Sequence, residues 1–101
     1  MKLYQQGDVL IQQIIEIPLK ALKKEGKILA KGELTGHCHT ITKGDADLYE
    51  YEGTLFLRIN SNTAELTHPE HKTIVLPKGD FEIKRIREYD HFIEEAKKVQ
   101  D

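Results

Sequence analysis

The sequence predicts a mainly β fold: a small β-barrel or sandwich of about seven or eight short strands with a C-terminal α-helix. Three observations predict it. Short runs rich in β-branched and aromatic residues recur along the chain, with turn signals every roughly 8–12 residues. A helical apolar stripe follows only from Asp90 onward. At 101 residues and 39% apolar content the chain fits a single β-rich domain, 1–101. A chain of that length buries roughly 65% of its unfolded surface and holds a core without disulfides.

Gly7-Asp8 opens the first strand, residues 9–17, which stops at Pro18. Val9, Ile11, Ile15 and Ile17 share one face, and Leu10 and Ile14 take the other, so this strand is bulged or covered on both sides. Residues 18–26 read as a short helical turn, with Pro18 at the first helical position and Gly26 as its stop. The lysines from Lys20 to Lys31 read as a solvated face on a connecting segment. Residues 27–30 and 33–42 are the next strands. Residues 47–51 and 54–59 form a hairpin about Glu52-Gly53. Its register sets Tyr51 against Thr54, Tyr49 against Phe56, and Asp47 against Arg58 as a cross-strand ion pair. Leu48, Leu55, Leu57 and Ile59 then make the core face, while Tyr49, Tyr51 and Phe56 pack under a helix or loop. Asn60-Ser61-Asn62 reads as a loop. Residues 63–67 are a strand ending at His68-Pro69-Glu70-His71. Residues 73–76 and 80–89 are strands about a turn at Pro77-Lys78-Gly79. Asp90 caps a helix to about residue 100, with Phe92, Ala96 and Val99 as its stripe.

The charge balance excludes some classes of function. Lys plus Arg is 15 and Asp plus Glu is 17, for a net charge of −2. A dedicated nucleic-acid or membrane-surface binder would be basic. A single cysteine excludes a disulfide framework within one chain and points to a reducing compartment. With no apolar stretch of signal-peptide or transmembrane length, the expected location is cytoplasmic. Edge strands in so short a β-domain favour a homodimer, since pairing covers them.

Four of the five histidines fall in two tight clusters. In a strand, His37 and His39 of His37-Cys38-His39 point to the same side, a natural two-pronged metal grip. Cys38 then points into the core; in a loop it returns as a possible ligand. In His68-Pro69-Glu70-His71, Pro69 fixes a bend. The bend either gathers both histidines or leaves one facing the first pair. Glu70 adds a carboxylate that can bind metal, orient a histidine or act as a base. Three histidines with an open position suit catalytic Zn²⁺, and two with a carboxylate suit Fe²⁺. The bland alternative is a set of structural histidines, half buried and hydrogen-bonded to backbone. Glu33 and Thr35 extend the row of His37 and His39 as support or as plain surface. Arg85 and Arg87 read as internally ion-paired, and His91 as exposed.

Two resemblances follow from these residues. Gly32 ahead of His37-Cys38-His39 resembles the first motif of the cupins, with four intervening residues where cupins have five. Asp45 and Glu50 are the acids nearest to that motif's downstream glutamate. Pro77-Lys78-Gly79 resembles the turn of the second cupin motif. There His71 stands at its first glycine and Glu82 at its metal-binding histidine. Over nearly the whole chain, the sequence also resembles a family of small uncharacterised prokaryotic and phage-type proteins. The elements are Gly7-Asp8-Val9-Leu10-Ile11, Gly32-Glu33-Leu34-Thr35-Gly36-His37-Cys38-His39, Leu66-Thr67-His68-Pro69-Glu70-His71, Leu76-Pro77-Lys78-Gly79 and Arg87-Glu88-Tyr89-Asp90. That resemblance brings no activity, but it implies that both histidine clusters belong to one design.

The expectation is a cupin-like barrel whose mouth gathers His37, His39 and at least one of His68 and His71. A divalent metal (Zn, Fe or Mn) binds there, with His68, His71 and Glu82 or Glu70 as further ligands. His37, His39, His68, His71 and Glu70 are the catalytic candidates, for hydrolysis of a small phosphorylated or acyl substrate. The competing expectation is a non-catalytic interaction module whose histidines are structural.

Overall fold

Alternating apolar and polar residues build one antiparallel sheet, described in a computed structural model over residues 1–31 and 37–86. Its strands are β1 (Leu3–Gln6), β2 (Val9–Ile14), β3 (Leu22–Lys24), β4 (Ile28–Lys31), β5 (Cys38–Lys43), β6 (Ala46–Tyr51), β7 (Thr54–His68) and β8 (His71–Arg85). The order across the sheet is β1-β2-β8-β7-β5-β4. β6 lies on β7 beside its first half, and β3 lies on β6. The sheet curls into a half-barrel around Val9, Ile11, Leu57, Leu66, Leu76 and Phe81, all with no exposed surface. Among the described residues there is no helix, and so none long and apolar enough to cross a membrane. Glu33, Thr35, Arg87, the expected terminal helix and His91 lie outside the described residues.

The expected Glu52-Gly53 hairpin forms with the expected register, Tyr51 opposite Thr54 and Tyr49 opposite Phe56. Its leucine face is core: Leu48, Leu57 and Ile59 are buried. On β2, Val9, Leu10 and Ile11 are all buried, so its first half is covered on both sides. Ile15 lies beyond the end of β2 and is exposed.

Three expectations give way. Residues 18–26 hold a single turn, closed by Ala21 N–H donating to Pro18 O at 3.0 Å, and then the strand β3. The free edge of β6 supplies a hydrogen-bonded ladder, which overrides a weak local helix preference. Lys23 and Lys24 reinforce the pairing through Asp47 at 3.4 Å and Glu50 at 3.1 Å. Asp47 and Arg58 do face each other in register, yet Arg58 binds Asp80 instead.

The third correction concerns the two apparent chain reversals at 60–62 and 77–79. β7 and β8 run continuously through them. Ile59 pairs with Gly79 and Thr63 with Pro77, so Asn60, Ser61 and Asn62 oppose Lys78 alone. Extra residues on one strand bend a paired ribbon, and the turn residues mark that corner. Gly79 sits there at φ 146°, a conformation L side chains rarely adopt. The bulged backbone is satisfied from outside the ladder. Asp45 O accepts from Asn60 N–H at 2.8 Å, and Ser61 Oγ accepts from Asp45 N–H at 2.9 Å.

Candidate metal centre

Three strand ends carry the histidines to one place. β7 and β8 are joined through Pro69-Glu70, and His68 and His71 are Cα partners flanking that turn. Thr40 of β5 pairs with Thr67 of β7, so one step further His39 comes alongside His68. Their ring centroids are 4.3 Å apart, and those of His68 and His71 are 4.6 Å apart. His37, just ahead of β5, has its ring 6.0 Å from that of His68. His39 and His71 lie near-parallel, with an interplanar angle of 13° at 6.0 Å. Both sequence clusters therefore meet, and both members of the second cluster take part.

The β1–β2 turn closes the site from the other side. Gly7 lets the His71 ring approach: a Cβ there would stand 2.5 Å from His71 Nε2. Its φ of 58° also lies in the left-handed region. Gln6, on β1, is buried and donates from Nε2 to Leu66 O and Lys72 O, both at 2.8 Å. The amide orientation is thereby fixed, and Gln6 Oε1 meets His39 Nδ1 at 2.8 Å.

Hydrogen-bond accounting then sorts the rings, which the sequence leaves equivalent. An amide oxygen only accepts, so His39 Nδ1 carries the ring proton. In the neutral ring the lone pair sits on Nε2, which faces Asp8 Oδ1 at 3.5 Å. Two acceptors thus point at each other. His37 Nδ1 donates to Glu70 Oε1 at 2.9 Å, leaving Nε2 as its outward nitrogen. His68 is the opposite tautomer. Its Nδ1 accepts from Glu70 N–H at 3.0 Å, so neutral His68 presents an Nε2–H donor.

Electrostatics favour these states. Burial first, then the neighbouring His68 and His71, push His39 down to about 4, against the pull of Asp8. Burial and the charges of His71 and His37 also lower His68. Burial alone would raise Asp8, but Arg85 outweighs it and holds the carboxylate below its usual range. Arg85 Nε donates to Asp8 Oδ2 at 2.9 Å, and its Nη2 donates to Lys31 O at 2.7 Å. Near neutral pH the site holds an uncharged His39 ring beside an ionised carboxylate.

His37, His39, His68, His71 and Glu70 are thus brought together. Glu82 is not: it lies far along β8, opposite Phe56 and Gln12, while His71 opposes His68 at the other end of that strand. Cys38 is half buried and pairs with Lys31. Asp8 and Gln6 are the residues that sequence reasoning missed. Gly7-Asp8 was visible only as the turn opening the first strand, and no spacing rule links residue 8 to residue 39. Among the described residues, no three His, Cys, Asp or Glu side chains stand ready-made around one ion.

Residues 5–86 match the family model described as Domain of unknown function (DUF8820). No curated protein and no solved structure matches the chain.

Proposed function

We propose, for a chain that belongs to the DUF8820 family and so inherits no named activity, that the histidine cluster binds a divalent cation with His39 and Asp8 as its first ligands. The supporting observation is the pair of facing acceptors, His39 Nε2 and Asp8 Oδ1, 3.5 Å apart. Two donor atoms on one tetrahedral ion at ~2.1 Å lie roughly 3.4 Å apart. A cation between them turns mutual repulsion into coordination. His37 is the third ligand through Nε2, once its ring turns toward the His39–Asp8 pair, and His71 is the next candidate. Gln6 behind His39, Glu70 behind His37 and Arg85 behind Asp8 act as the outer partners that orient metal ligands. Imidazole and carboxylate donors suit Zn²⁺, Fe²⁺ or Mn²⁺. Such an ion supplies an activated water, which fits a hydrolase of small phosphorylated or acyl substrates. His68 stays outside the coordination shell and offers its Nε2–H to a bound oxyanion.

The test is metal content by mass spectrometry on untagged protein. Wild type should carry close to one divalent ion per chain. His39→Gln, Asp8→Asn and the His37→Ala/His39→Ala pair should lose it, while His68→Gln should keep it. Wild type that stays metal-free after incubation with Zn²⁺, Fe²⁺ and Mn²⁺ would end this reading.

One observation favours a second reading, a non-catalytic interaction module. His39 is buried with both ring nitrogens facing neighbours, and His68 Nδ1 fastens the β7–β8 turn. The histidines would then be clasps. The outer edges of β1 and β4 would pair with a second copy, and light scattering would report a dimer whose stability is indifferent to chelator.

A further inference from the structure

Beside the histidine cluster lies a cleft of about 380 Å³, lined by Tyr4, Gln5, Gln6, Gly7, His71, Lys72 and Ile74. Its size falls in the range of small-molecule sites. His71 is shared between the cleft and the cluster, so a molecule held here lies against the rings. Three features of the lining describe that molecule.

The first is Gln5. It is only 8% exposed, and its Oε1 is buried with no hydrogen-bond partner. Its Nε2 donates to Gly7 O at 2.8 Å, which pins the amide and leaves Oε1 as the unsatisfied end. A buried acceptor without a donor is costly, and an N–H or O–H brought from the cleft relieves it once the lining opens enough to admit the donor. The second is Lys72. Its side chain is exposed and has no carboxylate partner among the described residues, although Lys23 and Lys24 do. Its backbone is held by Gln6 Nε2, so its place at the cleft is fixed. The third is the apolar side of the lining, Tyr4 and Ile74, which accommodates a short carbon skeleton.

We infer that this cleft binds a small organic anion that also carries a hydrogen-bond donor, such as an N-acyl amino acid or a hydroxy acid. Lys72 takes the carboxylate or phosphate, Gln5 Oε1 takes the N–H or O–H, and His71 forms the wall toward the cation. The inference deepens the cation reading by giving the class of molecule presented to the ion. The pocket itself needs no metal, so the two ideas fail separately.

The experiment is a titration of ¹⁵N-labelled protein with N-acetylglycine, acetate and inorganic phosphate, with chelator and again with Zn²⁺. N-acetylglycine should give saturable shifts at Gln5, Gln6, Gly7 and Lys72 in the chelated protein. Lys72→Gln should weaken that binding about fivefold to tenfold, the size of one partly exposed charge-assisted contact. Acetate keeps the charge and lacks the donor, so it should bind at least about threefold more weakly. Gln5→Met should erase that difference while Lys72→Gln leaves it in place. Absence of saturable shifts in both forms overturns the inference, as does binding that ignores Lys72→Gln. Equal affinity for acetate and N-acetylglycine overturns the role of Gln5. Saturable, Lys72-dependent binding in a protein that takes up no metal would uphold the cleft and sink the cation reading alone.

Discussion

At the scale of single residues, the site depends on Gly7 as much as on any histidine. Gly7→Ala places a methyl into the His71 ring and strains a left-handed backbone, so it should cost about 1–3 kcal/mol. Chemical denaturation measures that loss, and metal content should fall with it although no ligand has changed. His39 gives a pH prediction. Its proton affinity is pushed below that of the unfolded chain, to about 4, so the unfolded state binds more protons between that value and about 6.5. Stability from this ring is complete above the unfolded value and is lost as pH falls through the window. Asp8, His68 and His71 face the same ring. Urea melts of chelated protein from pH 7.5 to 4.5 should slope downward in wild type and flatten in His39→Gln. A variant slope as steep as wild type would assign the loss to other groups.

At the scale of elements, the β6–β7 turn carries an avoidable strain. Glu52 adopts φ 50° in front of Gly53, where Asn or Gly is preferred. Glu52→Asn should stabilise the protein by about 0.5–1 kcal/mol in a denaturant melt. Asp80 ties three segments. It accepts from Arg58 Nε at 3.0 Å and Nη2 at 3.2 Å, and from Ile17 N–H at 3.1 Å. Asp80→Asn should therefore cost about 1–3 kcal/mol, and Asp47→Asn, at the position the sequence paired with Arg58, should cost less than about 1. That contrast shows what the sequence makes legible. Period-two patterning and a two-residue turn define register, because a one-residue slip would turn Leu48 and Leu57 to solvent. They do not say which of two acids an arginine takes, because Asp80 arrives from a strand 22 positions away. The same limit applies to the histidines. His37, His39, His68 and His71 stand out by type and spacing, whereas Asp8 and Gln6 join them only through the curl of the sheet.

At the scale of the whole molecule, that curl rests on a corner. Pro77-Lys78-Gly79 and Asn60-Ser61-Asn62 have the composition of hairpin turns, yet the chain uses them to bend two long strands together. Sequence punctuation distinguishes a turn from a strand, but a bent ribbon uses the same residues as a reversal. The corner brings the start of β8 round toward β1 while its end pairs with β2, and Gln6 fastens the arrangement at Leu66 and Lys72. Gln6→Ala should therefore act on two levels. It should lower stability by about 2–4 kcal/mol, by orphaning two carbonyls and a ring nitrogen, and it should release His39 from its tautomer. The His39 resonances in an imidazole nitrogen spectrum would show the second effect directly.

The Gln6 clasp also bears on the order of assembly. Its partners stand 60 and 66 positions later in the chain. During synthesis the first two strands emerge long before the ladder that receives them, so they can pair only with each other until β8 is made. The histidine site is therefore among the final structures to form. Pairings this distant in sequence are slow to close. An interrupted chain that lacks β8 would hold three of the four clustered histidines and have no site.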